Sequence, residues 1–144
     1  MENVLFALTI EDGWPPVATE ALWCTRAAGH LRLNSIPLFL RGLAYGDLIA
    51  PVVAEASGHV VDFEVIEISG HSLIWMLNAE HLDIAEFIAE LEAMGCKIAT
   101  GLLGYHHYAI DVPPDADIAA LDGMISVWDT LGLAFAYPAW RHDD

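Results

Sequence analysis

An α+β fold, with a small N-terminal β-sheet or barrel-like half packed on a C-terminal ferredoxin-like half of order βαββαβ, is what this sequence predicts. Three observations carry it. Short β-branched runs punctuated by Gly and Pro fill residues 1–70, helical periodicity begins only after residue 80, and strands and helices then alternate in the split βαβ order. The boundary between a small β subdomain (1–70) and a ferredoxin-like subdomain (71–144) falls at Ser69-Gly70.

Residues 4–10 alternate and are β-branched enough for a first strand. Glu11-Asp12-Gly13-Trp14-Pro15-Pro16 is a turn, because neither proline can donate to a ladder. Residues 17–25 and 30–34 flank Arg26-Ala27-Ala28-Gly29 as a hairpin, and 35–42, which contains Pro37, reads as an irregular crossover. Residues 47–56 and 59–68 form a second hairpin around Ser57-Gly58. Five short strands of this kind predict a small curled sheet or barrel.

Past Gly70, residues 71–77 form a strand with large residues on both faces. Residues 82–94 place Ile84, Phe87, Ile88, Leu91 and Met94 on one helical face, with Asp83 as N-cap and Gly95 past the end. Residues 97–103 and 106–112 are strands around Gly104-Tyr105. Pro113-Pro114 stop the second, and Asp115 or Asp117 caps a helix carrying Ile118, Leu121, Ile125, Trp128 and Leu131. Gly132 ends that helix, and 133–137 is the last strand. Strand alternation puts His106, Tyr108, Ile110 and Val112 under the helices and His107, Ala109 and Asp111 on the open sheet face. Ser72, Ile74, Met76 and Asn78 are expected on that open face too. There Ile74 and Met76 need cover from the N-terminal half or from a second copy, in a homodimer.

Charge and hydropathy pull in different directions. The 144 residues carry 21 Asp+Glu against 5 Lys+Arg, a net charge of −16, yet 56% are hydrophobic and the mean hydropathy is +0.44. Such an apolar chain is not disordered. Without clustered Lys and Arg, neither nucleic acid nor an anionic membrane surface is an expected ligand. No apolar run approaches the roughly 20 residues of a membrane span. Residues 1–10 lack a basic n-region, so they do not read as a secretory signal. Cys24 and Cys96, far apart and outside CxxC spacing, read as two reduced buried thiols, and a cytoplasmic location is expected.

Several stretches then combine: Asp12-Gly13-Trp14-Pro15-Pro16-Val17 with Glu20-Ala21-Leu22-Trp23, Leu33-Asn34-Ser35-Ile36-Pro37-Leu38-Phe39, Gly42-Leu43-Ala44-Tyr45-Gly46-Asp47-Leu48, and Ser69-Gly70-His71-Ser72. Together they resemble the bacterial family known as domain of unknown function 4265. The resemblance implies a small cytosolic bacterial protein. It supplies no catalytic residues, because the family has no settled activity.

Two groups of residues are candidates for function. At the junction, His71 could act as a general base with the hydroxyl of Ser69 or Ser72, or the same residues could form a turn that satisfies backbone groups. Arg41, Tyr45 and Asp47 could line a cleft for a small anion, or form a Gly-permitted turn with an Arg41–Asp47 ion pair. Trp14-Pro15-Pro16 with Trp23 reads as a peptide-binding patch or as a loop anchored across the barrel. His106 and His107 face opposite ways on a strand, and no zinc, EF-hand, P-loop or dinucleotide spacing occurs, so no metal and no cofactor is expected.

The second group is acidic. Residues 71–144 carry a net −10 against −6 for residues 1–70, with Glu86 and Glu90 on the first helix and Asp122 and Asp129 on the second. These four predict a surface matched to a basic protein. The expected function is therefore a non-enzymatic acidic binding protein that inhibits or masks a basic partner such as a toxin or nuclease, immunity- or antitoxin-like. The alternative is a small-ligand or enzymatic pocket between the halves around Tyr45, Asp47, Ser69 and His71.

Overall fold

The computed structural model describes residues 1–101 and 106–142. In the N-terminal half, β1 (Glu2–Ala7), β2 (Thr19–Ala27), β3 (His30–Leu33), β4 (Leu48–Val53) and β5 (Val60–Glu67) pair antiparallel in chain order. A parallel contact between Phe6 and Val60 closes them into a barrel. Alternation on β2 turns Leu22 and Cys24 inward, where they meet Phe6, Leu31, Leu33, Leu43 and Ile49. Ala28 and Gly29 both have positive φ, as a two-residue type I′ turn between β2 and β3 requires. The 35–42 stretch is irregular, as Pro37 predicts.

The C-terminal half runs β6 (Ser72–Leu77), α1 (Ala85–Ala93), β7 (Lys97–Thr100), β8 (His107–Val112), α2 (Ile118–Leu131) and β9 (Ala134–Ala139). The sheet order β7-β8-β6-β9, antiparallel throughout, is the ferredoxin-like arrangement. Residues 102 and 103 of the expected strand, and the Gly104-Tyr105 turn, lie outside the described residues. Helix α1 has Ile84 at its N-cap, and the Asp83 carboxylate instead accepts from the Ala85 N–H at 3.1 Å. Asp117 caps α2, accepting from the Ala120 N–H at 3.2 Å. Phe87 and Leu91 from α1 and Leu121 and Ile125 from α2 pack on Ile74, Met76, Ile110 and Val112. Leu131, expected on that packed face, is exposed.

The phase of β6 is the reverse of the expected one. Residues directly opposite in an antiparallel pair share a face. Ser72 lies opposite Val112, Ile74 opposite Ile110 and Met76 opposite Tyr108, so all three point to the helices rather than to the open face. Ile74 and Met76 are sealed there and cannot form a dimer seam. The residues that need cover are Leu73 and Trp75, which share the other face with Ala109 and Asp111. The N-terminal half covers them with Ile36, Leu38 and Ala44, and the Trp75 indole N–H donates to the Pro37 carbonyl at 2.9 Å.

Gly46 marks the tightest approach between the turn before β4 and the junction. Its φ is +86°, and an added Cβ would stand 2.9 Å from the Ser69 Cβ, whereas Gly58 (φ +72°) faces open space. Alanine at either position carries the left-handed penalty of about 1–2 kcal/mol. Gly46→Ala should cost about 1–3 kcal/mol more than Gly58→Ala, from overpacking, when both are measured by urea denaturation.

Candidate functional site

Asp47, in the turn that leads into β4, is fully buried. Its Oδ2 accepts from the Ala44 N–H and from Arg141 Nη2, both at 2.9 Å, and its Oδ1 accepts from the Ser69 N–H at 3.0 Å. Arg141 Nη1 also donates to the His71 carbonyl at 3.2 Å. The Arg141 backbone N–H donates to Ser72 Oγ at 2.7 Å. His142 continues this chain. A carbonyl can only accept, so Nε2–H donates to the Pro113 oxygen at 2.8 Å, and in the neutral imidazole Nδ1 then accepts the Ser72 hydroxyl at 2.6 Å. Ser69 Oγ donates to the Tyr45 carbonyl at 2.6 Å and accepts from the His71 N–H at 3.2 Å. Both serine hydroxyl hydrogens are thus engaged.

His71 Nδ1–H donates to both Asp111 oxygens, at 2.9 and 3.1 Å. Burial pushes the Asp111 pKa up, and the His71 hydrogen bond pulls against it. The Tyr45 ring lies 5.4 Å from the imidazole, and the Lys97 ammonium lies 5.5 Å over Tyr45. A carboxylate that fixes one imidazole nitrogen is how a general base is oriented. Among the described residues, however, no hydrogen bond engages His71 Nε2, so no nucleophile is held against it. The structure therefore brings Tyr45, Asp47, Ser69 and His71 together as a joint between the halves. Arg41 does not belong to that joint. The counter-charge of Asp47 is Arg141, 94 residues on, and Arg41 instead lies over the Trp75 ring at 5.0 Å.

Arg41 marks a second site that sequence reasoning missed. A cleft of about 250 Å³ is lined by Trp14, Arg41, Trp75, Leu77, His107 and Phe135. A wider one of about 500 Å³ shares Trp14, Arg41 and Trp75 and carries Glu11, Asp12 and Asp62 on the barrel side. His107 is 6% exposed, and among the described residues neither ring nitrogen has a hydrogen-bond partner. The rings of Trp14, Phe39 and Trp75 stand 5.6, 5.4 and 5.8 Å from it. Burial pushes its pKa down and holds it neutral, with one donor and one acceptor to offer. Leaving a buried polar group unpaired costs about 1–3 kcal/mol. Glu20 fixes this wall of the cleft, its carboxylate accepting the Leu38, Phe39 and Leu40 N–H groups at 2.6, 3.0 and 3.0 Å. Trp14 thus anchors its loop onto the C-terminal sheet, while Trp23 is half exposed on β2.

Glu86, Glu90, Asp122 and Asp129 are all exposed on α1 and α2, and neither helix carries a Lys or Arg. Cys24 and Cys96 are buried in different core clusters, and burial pushes both thiols up to about 11. Among the described residues, no group of three or more His, Cys, Asp and Glu converges on a point that could hold a metal ion. Among them, too, no helix is long and apolar enough to cross a membrane.

Residues 20–132 match the family described as Domain of unknown function (DUF4265). No curated protein matches the chain. The fold is similar to one reported as the novel crystal structure of a hypothetical protein from Neisseria gonorrhoeae. The TM-score is 0.77 at 20% identity, over 98% of this chain and 94% of that one. At that identity the likeness is one of fold.

Two variants test the joint. Arg141→Met leaves the Asp47 carboxylate buried without its counter-charge and should lower stability by about 3–5 kcal/mol in urea denaturation. Asp111 binds its proton more tightly folded than unfolded. Its contribution is therefore full below its ordinary value of 3.8 and is lost as pH rises through the raised folded value. Asp111→Asn removes that titration, so the fall in Tm between about pH 4 and about pH 7 should be smaller in the variant than in the wild type.

Proposed function

The chain belongs to the DUF4265 family, and from that premise we propose that it is an acidic, non-enzymatic, cytoplasmic protein that masks or inhibits a basic protein partner, in the manner of an immunity protein or antitoxin. The observation that supports the reading is the run of exposed carboxylates across two adjoining helices that carry no Lys or Arg. The Phe87 and Trp128 rings stack at 5.2 Å between α1 and α2, which makes Glu86, Glu90, Asp122 and Asp129 parts of one layer. Glu86 and Glu90 are like charges one turn apart. Asp129 sits in the last turn of α2, at the negative end of the helix dipole, where a carboxylate costs about 0.3–1 kcal/mol. Val127 and Leu131 are exposed on the same helix and offer apolar contact beside the charge.

A chain that keeps these mismatches gives up stability for a surface, as functional sites commonly do. A basic partner would relieve the like-charge repulsion, and complementary fields raise association rates toward about 10⁸–10⁹ M⁻¹s⁻¹ at low salt. Toxins and nucleases fit the partner's chemistry because enzymes that grip phosphate are basic. The engaged hydroxyls of Ser69 and Ser72 support the non-enzymatic side of the reading.

The test is co-purification from host extract at low salt, identification of the partner, and measurement of its association rate. A basic partner is expected, with the rate falling as salt rises from about 50 to about 500 mM. Reversing all four charges (E86K, E90K, D122K, D129K) should slow association by about tenfold or more while leaving the melting transition cooperative. A rate indifferent to both salt and charge reversal sinks the proposal.

A further inference from the structure

We infer that the cleft where the Trp14 loop and the 35–42 crossover meet the ends of β6 and β9 is a binding site for a small planar aromatic carboxylate. The starting point is His107, which lines the cleft and is 94% buried, with both ring nitrogens buried and unpaired among the described residues. A buried polar side chain without a partner is rare among folded proteins and calls for an explanation, which a ligand completing the set would supply. Since the imidazole is neutral, it can donate to or accept from a polar edge of a ligand but cannot neutralise a charge.

Two further features fix the ligand's chemistry. Trp14, Phe39 and Trp75 surround the imidazole at ring separations of 5.4–5.8 Å, within the spacing at which aromatic rings pack edge to face or offset. A planar ring entering the cleft meets Trp14, Trp75 and Phe135, which line it. Arg41 is the cation at its mouth: its guanidinium lies 5.0 Å from the centre of the Trp75 ring, is exposed, and pairs with no carboxylate among the described residues. A guanidinium carries its N–H donors in a fork that matches a carboxylate. The cleft of about 250 Å³ is slightly below the roughly 300–1,000 Å³ of sites for drug-sized ligands and suits a one- or two-ring molecule. Glu11, Asp12 and Asp62 line the adjoining wider cavity. An aromatic amine is therefore the competing occupant that the experiment has to separate.

This inference is independent of any basic partner, because His107 points to the barrel side of the sheet and the acidic helices cover the other side. Indole-3-acetate, phenylacetate, indole and tryptamine are titrated into the full chain by calorimetry and ligand-observed NMR. The two carboxylates should bind with Kd of about 0.1–1 mM, and indole about tenfold more weakly. Arg41→Met, at an exposed position, should weaken the carboxylates by about tenfold or more while leaving the melting transition of the free protein cooperative. His107→Phe keeps an aromatic ring but removes both nitrogens and should weaken them comparably; if that variant fails to fold, Arg41→Met decides. The inference is overturned if neither carboxylate binds at about 10 mM, if either folded variant binds them as well as the wild type, or if tryptamine binds more tightly than indole-3-acetate.

Discussion

The buried carboxylate of Asp47 is the constraint that the two halves share. Taking such a group out of water costs several kcal/mol unless donors replace its hydration. Those donors come from three separate places: Ala44 in the turn before β4, Ser69 at the junction and Arg141 after the last strand. One arrangement of these segments satisfies the group. Arg141 follows β9, whose Ala139 pairs with Leu73 of β6, and the Pro138 carbonyl accepts from the Gly42 N–H at 2.9 Å. The crossover is therefore held at its Gly42 end beside Leu73 and Trp75, the surface it has to cover.

Much of this fold was legible because its signals are local. Proline pairs stop strands, Gly95 and Gly132 lie past helix ends with φ of +90° and +122°, and the apolar spacing of 82–94 and 118–128 matches the packed faces of both helices. What misled was β6. Its run Ser72-Leu73-Ile74-Trp75-Met76-Leu77 is apolar on both faces, so alternation alone has no phase, and only pairing with β8 decides which set meets the helices. The joint was half legible. Asp47, Tyr45, Ser69 and His71 stood out as polar residues beside turn glycines. Nothing near Asp47 pointed to a counter-charge 94 residues away, whereas Arg41 stood six residues off and drew the assignment. The enclosure of His107 was not legible at all. Strand phase placed it on the right face, but the rings around it arrive from residues 14, 39 and 75, three contacts without a local signature.

Acidity and apolarity, which pull against each other in the composition, divide by location. The apolar residues fill a barrel core, a core under the helices and a smaller one between the halves. The carboxylates separate into two kinds. Glu20, Asp47 and Asp111 are buried and each is met by named donors, so they organise the chain. Glu86, Glu90, Asp122 and Asp129 are exposed on helices without a base, so they organise nothing within it. That contrast is the physical ground for looking outward from the helical layer for a partner and inward, toward His107, for a ligand.

All of this presupposes that the barrel and the ferredoxin-like half are locked by Asp47 and Arg141. A double-mutant cycle on Asp47→Asn and Arg141→Met, read by urea denaturation, tests it most directly. The predicted coupling is about 2 kcal/mol or more, since each partner removed leaves the other buried without its counter-charge. Costs that simply add, with a coupling below about 0.5 kcal/mol, would contradict the account.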